Sequence, residues 1–232
     1  MAFKIALDAG HGLKTAGKRC LKKLDKNETR EWVLNSRICE KIEEKLKAYE
    51  GYSLLRVDDT TGKTDVSLAK RCKAANNFKA DIYLSIHHNA GIKGGSGGGI
   101  VVYTWNNPNA ELKEWQKLVY NNLIAETGLK GNRATPLAKS NFYVLVNTNC
   151  QAILVENGFM DSTVDVPVIL TEKFADKAAA AYVKTLVKIG GLKKKQTQYK
   201  VTATKTVSSK EKAETEANAL KKDGYSVSYV KC

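Results

Sequence analysis

Three histidines occur in the 232 residues, His11, His87 and His88, and each follows a short apolar run. Phe3 to Leu7 leads into Asp8-Ala9-Gly10-His11-Gly12, and Ile82 to Ile86 leads into His87-His88-Asn89. A third run, Ala152 to Val155, leads into Glu156-Asn157-Gly158-Phe159. Two histidines and one carboxylate with an open fourth position form a recurring catalytic zinc set, which polarises a carbonyl and lowers the pKa of a water toward about 7. A further carboxylate supplies the general base and proton shuttle of a metal-assisted hydrolase. Glu156 and either Glu28 or Glu31, at the start of a helical pattern, are the carboxylates on offer. Plainer readings exist: a histidine after a strand is more often a loop residue than a ligand, and Glu at a helix start serves the helix dipole or a cap. Glu156 resists the plain reading, because a carboxylate beside a buried strand needs a partner or a purpose. His87 and His88 are adjacent on an extended backbone and point to opposite faces, so at most one of them faces any given site.

These groups need a scaffold that brings distant strand ends together. Strand patterns at Phe3 to Leu7, Tyr52 to Val57, Ile82 to Ile86, Gly99 to Trp105 and Ala152 to Val155, with a short one expected at Phe142 to Val146, alternate with helical patterns. The helices are expected from Glu28 to Tyr49, from Asp65 to Phe78 after a Thr64 or Asp65 cap, from Ala110 to Thr127 and from Thr171 to Ile189. Such alternation predicts an α/β layer structure with crossover connections. In open α/β sheets ligands gather beyond the carboxyl ends of the strands, where the three runs deliver His11, His87 or His88, and Glu156. The Gly91 to Gly99 loop frees the backbone beside that edge.

The net charge of +14 calls for a polyanionic neighbour such as nucleic acid, an anionic membrane or an acidic wall polymer, or else is a solvated basic surface. Lysines and arginines cluster from Lys14 to Arg30 and from Lys193 to Lys195, not interleaved with aromatics as in a stacking platform, so nucleic acid is not an expected partner. Five cysteines at irregular spacing contain no CxxC pair and no dense disulfide framework, which fits synthesis in a reducing compartment. The start MAFKIALDAGHG has no signal-peptide layout, and no run approaches the roughly 18 apolar residues of a membrane span. The expectation is a chain made in the cytoplasm, without stable membrane insertion, that reaches any outer target after release.

Five blocks in order carry a resemblance: Ile5 to Gly12; Glu31-Trp32-Val33-Leu34-Asn35; Arg71 to Asn76; Ala80 to Ala90, with Ser85-Ile86-His87-His88-Asn89-Ala90; and Leu154 to Phe159. Together they resemble the zinc-dependent N-acetylmuramoyl-L-alanine amidases of the type 3 family, over roughly residues 1–189. The resemblance implies a six-stranded, mainly parallel mixed sheet flanked by helices and one Zn2+ ion. The implied reaction is cleavage of the peptidoglycan amide between N-acetylmuramic acid and the L-alanine of the stem peptide. It also implies that His11, Glu31 rather than Glu28, and His87 are the metal ligands and that Glu156 is the catalytic acid–base residue. His88 falls at a variable position and is expected to face elsewhere as a bystander, and Asn89 is a substrate-binding candidate beside a plain loop-capping role. Ala9 stands where a proline is frequent, and the Lys14 to Asn27 loop is unusually basic; both bear on substrate access. A zinc peptidase, a deacetylase and an inactive wall-binding module are the competing readings.

Residues 190–198 read as a linker by composition. Beyond it, 199–232 is expected to form a βαβ unit, with strands Tyr199 to Thr206 and Tyr225 to Val230 around a helix after a Ser208 or Ser209 cap. It resembles one half of a sporulation-related wall-binding repeat. A single half of this size falls short of a stable core, so pairing into a homodimer is expected, with peptidoglycan and anionic wall polymers as partners. The implied setting is the bacterial cell wall, reached by holin-type or mother-cell lysis.

Overall fold

The structure, a computed structural model, describes residues 2–196 and 205–228 and falls into two compact units, Met1–Lys195 and Gln196–Cys232. The first unit holds strands β1 (Phe3–Ala9), β2 (Tyr49–Glu50), β3 (Tyr52–Arg56), β4 (Ile82–Asn89), β5 (Ile100–Thr104), β6 (Leu137–Lys139), β7 (Gln151–Phe159) and β8 (Lys193–Lys194). Its helices are α1 (Glu31–Leu46), α2 (Leu68–Phe78), α3 (Ala110–Thr127), α4 (Tyr143–Val146), α5 (Val166–Ile169) and α6 (Glu172–Gly190). Six strands form one sheet in the order β3-β1-β4-β7-β5-β6. The β5–β7 pair is antiparallel and the others are parallel, so the sheet is mixed and mainly parallel as expected.

Alternation along the strands separates two cores. Ile5, Leu7, Leu84, Ile86, Ile153 and Val155 face α1, α3 and α6, whose Ile38, Ile42, Leu123, Ala178 and Leu186 cover them. Ala6, Tyr83, Ala152 and Leu154 face the other way, against Cys72 and Ala75 of α2 and Val144 and Leu145 of α4. β1, β4 and β7 are therefore buried on both faces and run together, so their carboxyl ends converge on one edge.

Several local expectations change. α1 begins at Glu31, because Glu28 sits in a left-handed conformation (φ 48°) before it, and ends at Leu46. α2 is capped by Ser67, whose Oγ accepts from the Lys70 N–H, since the Asp65 carboxylate is taken by Thr15 and Arg71. Leu68, the first residue of α2, is exposed. Phe142 to Val146 is a helical turn rather than a strand: β7 already has β4 and β5 on its two edges, and α4 instead packs Val144 and Leu145 over its face. Within the expected linker, Gly191 ends α6 in a left-handed cap, and Lys193–Lys194 pair antiparallel with Tyr49–Glu50.

In the second unit α7 (Lys210–Lys222) is capped by Ser209 and followed by Gly224 at φ 86°. Most of the expected strand at Tyr199 to Thr206 lies outside the described residues, as does the end of Tyr225 to Val230; Tyr225 to Ser228 is irregular. Among the described residues no helix is long and apolar enough to cross a membrane.

Candidate active site

β1 delivers His11 through a backbone turn held from three sides. Gly10 N–H donates to the Ile86 carbonyl at 3.0 Å, locking the end of β1 to β4. His11 then takes φ 67°, a left-handed conformation that costs a residue with a Cβ free energy and persists only where surroundings over-determine it. Those surroundings are Arg71 and Asn35. The Arg71 guanidinium donates to the Ala9 carbonyl at 2.8 Å, the His11 carbonyl at 2.9 Å and the Asp8 carboxylate, and the Asn35 carboxamide donates to the Gly10 carbonyl at 3.1 Å. Asp8 is itself buried and accepts from Tyr83 at 2.9 Å and Ser85 at 2.7 Å. Burial pushes its carboxyl up, but the Arg71 charge and these hydrogen bonds bring it below the usual range. Gly10 is required by close approach: a Cβ there would lie 2.0 Å from His87 Cε1.

α1 delivers Glu31 as its first residue, almost fully buried. Its Oε1 lies 3.4 Å from His11 Nε2 and 3.0 Å from His87 Nδ1, and accepts the His88 N–H at 3.2 Å. The His11 and His87 rings are perpendicular, with centroids 4.9 Å apart. One ligand atom from each of His11, Glu31 and His87 falls within 4.8 Å of the others. Ligands at ~2.0–2.1 Å around a tetrahedral metal stand roughly 3.3 Å apart, so the spacing fits a metal ion. Glu31 Oε2 is buried without a hydrogen-bond partner, which is unfavourable for the bare protein and natural for a ligand. Burial raises the Glu31 carboxyl, yet His11 and His87 outweigh it and hold the group far below the usual carboxylate range. Burial lowers the His87 imidazole, and the Glu31 hydrogen bond and charge turn the balance upward.

β7 delivers Glu156 directly opposite His87 in the parallel register. Its Oε2 is sealed from solvent with no partner, and burial, aided by the Glu31 charge and opposed by His87 and Lys18, pushes its pKa up to about 7. A carboxyl in that range takes up and releases a proton near neutrality. His11, His87 and Glu156 line a cleft of about 590 Å³ that Leu68, Phe142, Tyr143, Val144 and Leu154 also line, giving it an apolar side. A larger groove of about 1120 Å³ lies at the opposite ends of β4 and β7, beside Asp81, Trp105, Asn149 and Gln151. The His11–Glu31–His87 cluster, which could hold a metal ion, lies at the smaller cleft.

His88 points away from the cleft, and its ring is engaged: Nδ1 lies 2.8 Å from Asn35 Oδ1. It thus faces elsewhere, as expected, while bonding to Asn35 of α1. Burial pushes its pKa down to about 3, so the ring is neutral. Asn89 Oδ1 accepts from the Ala90 N–H at 2.8 Å at the entry to the glycine loop, and Glu28 pairs with Arg19 at 3.2 Å, outside the triad. The supporting roles of Asp8, Arg71 and Asn35 were not legible individually, although each lies in a block already singled out. An Asp within an apolar strand and an Arg on the packed side of a helix were the signals available.

The family model described as N-acetylmuramoyl-L-alanine amidase matches residues 5–188. The sporulation-specific N-acetylmuramoyl-L-alanine amidase of Bacillus subtilis (strain 168) is 32% identical over 192 residues, covering 82% of this chain and 69% of that protein. The endolysin of Bacillus phage SPP1 is 29% identical over 202 residues, covering 84% and 69%. Among solved structures, the N-acetylmuramoyl-L-alanine amidase from Clostridium difficile 630 superposes with a TM-score of 0.72 at 28% identity, covering 81% of this chain and 96% of that one.

Proposed function

The chain belongs to the N-acetylmuramoyl-L-alanine amidase family, and on that premise we propose that His11, Glu31 and His87 hold a zinc ion and that Glu156 is the acid–base residue. It is a peptidoglycan hydrolase that cleaves the amide between N-acetylmuramic acid and L-alanine. The observation that carries the site assignment is the Glu156 carboxyl: its Oε2 sealed from solvent without a hydrogen-bond partner, its pKa raised to about 7, and its residue opposite the His87 of a His–Glu–His cluster.

The chemistry such an ion supplies when bound is Lewis acidity, which polarises the scissile carbonyl and makes a water acidic near neutral pH. The protein's own groups do the rest. The ligand atoms of Glu31 and the two imidazoles already stand within 4.8 Å of one another, so the ligand positions are set before any ion arrives. Glu156 accepts the proton of the attacking water and returns it to the departing alanine nitrogen, one residue serving both steps because its pKa lies near the working pH. The apolar wall of Leu68, Phe142 and Tyr143 shields the reacting amide from bulk water.

Residues 199–232 serve as a wall-binding and pairing unit, a reading supported by their resemblance to half of a wall-binding repeat and by their small size. The net charge of +14 suits anionic wall polymers, and the site of action is the bacterial cell wall. The test is digestion of isolated walls with and without a chelator, followed by identification of the new ends. New N-terminal alanine with intact glycan, lost on chelation, is the expected result; new ends inside the peptide or released acetate would exclude the amidase.

A further inference from the structure

The cleft carries one charged group that the hydrolytic scheme leaves idle. Lys18 lines it together with His87 and Glu156, its Nζ 3.7 Å from Glu31 Oε2 and its side chain 44% exposed. That distance is an ion pair but too long for a hydrogen bond, so the ammonium keeps its three donors for something else. Arg71, the other cation lining the cleft among the described residues, is consumed: its donors go to Val66, Asp8, Ala9, His11 and Asp65.

Lys18 is also fixed in place. Its carbonyl accepts the Glu31 N–H at 3.0 Å, tying it to the first residue of α1. On either side, Gly12 N–H donates to Thr15 Oγ1 at 2.9 Å, Arg30 donates to the Thr15 carbonyl, Arg19 bridges to Arg30, and Cys20 N–H donates to the Thr29 carbonyl at 2.9 Å. The basic loop thus presents one lysine to the reaction centre on a stapled backbone.

We propose that Lys18 is a specificity-determining residue that binds a free carboxylate on the stem peptide, at the residue following the L-alanine. The inference rests on the amidase reading above. In a muramyl peptide the lactyl carboxyl is consumed in the scissile amide. The next acid along the chain is the α-carboxylate of the γ-linked glutamyl residue, which occurs either free or as an amide. It lies within two residue lengths of the scissile nitrogen, at most ~7 Å, a span that reaches from the triad to a group 3.7 Å from Glu31. A cation there favours the free acid over its amide.

The test uses the zinc-loaded full chain and two soluble muramyl tripeptides that differ only in a free or amidated α-carboxyl on the second residue. Wild type is expected to favour the acid in kcat/KM by about fivefold, the size of one partly solvated charge pair, with the difference carried by KM. Lys18→Met should bring the ratio close to one, and Lys18→Arg should retain it. A wild-type ratio of one overturns the assignment. So does a Lys18→Met variant that loses equally on both substrates together with its zinc, since Lys18 would then act through Glu31. If wild type cleaves neither compound at the lactyl amide, the amidase reading itself falls.

Discussion

Asn35 and His88 form a hydrogen bond of 2.8 Å on the side of the sheet away from the cleft, and its polarity is fixed by a second bond. The Asn35 carboxamide nitrogen donates to the Gly10 carbonyl, so Oδ1 is the acceptor and His88 Nδ1 carries the proton. Through this link β4, α1 and the turn before His11 share one carboxamide. Asn35→Ala should therefore loosen His11 without touching a ligand. Zinc affinity is expected to fall about 10- to 100-fold, as when outer partners of metal ligands are removed. Competition against a chromophoric chelator measures it, and an unchanged affinity would mean the Gly10 turn holds without Asn35.

Glu156→Gln separates turnover from metal retention. The substitution keeps shape and removes the proton acceptor, so wall-clearing activity should drop about 10²- to 10⁴-fold while zinc stoichiometry stays at the wild-type level. His87→Ala should lose both. Turbidity decline of wall suspensions and elemental analysis of the same samples are the two readings required.

The raised pKa of Glu156 predicts the pH dependence of metal-free stability. The folded carboxyl holds its proton up to about 7, whereas the usual value is 4.5. Between those values the folded state binds more protons than the unfolded one, so this group's contribution falls as pH rises through the window. His87, raised by Glu31, loses its contribution in the same direction, so Glu156 is isolated by comparing variants. In chelator-treated protein Glu156→Gln should gain stability over wild type from pH 4.5 to pH 7, by at most about 3 kcal/mol, and the gap should vanish at lower pH. Urea melts across that range measure it; a constant gap would show that Glu156 ionises normally.

Much of this architecture was readable from residue types. Apolar runs ending in His11, His87 and Glu156 gave the converging strands, because burial on both faces demands unbroken apolar sequence and the polar break marks the sheet edge. The opposite facing of His87 and His88 followed from strand alternation alone. What escaped depended on contacts distant in sequence. α4 looked like a strand because Phe142 to Val146 is aromatic and β-branched, and only the occupied edges of β7 rule that out. Ser67 took the cap of α2 because Asp65 was drawn to Arg71 and Thr15, a competition local pattern cannot show. Lys193–Lys194 entered a strand because Tyr49–Glu50 lay within reach, although their composition is that of a linker.

The strand order also sets a sequence of events in time. β7 is the last strand of the six-stranded sheet to be synthesised, yet it is an interior one, seated between β4 and β5. His11, Glu31 and His87 all precede it, so a growing chain owns the three proposed ligands well before it owns Glu156. Until β7 inserts, β4 has an open edge and the nascent chain lacks the proposed acid–base residue. On the proposed assignment the capacity to cut therefore arrives in the same step that closes the sheet.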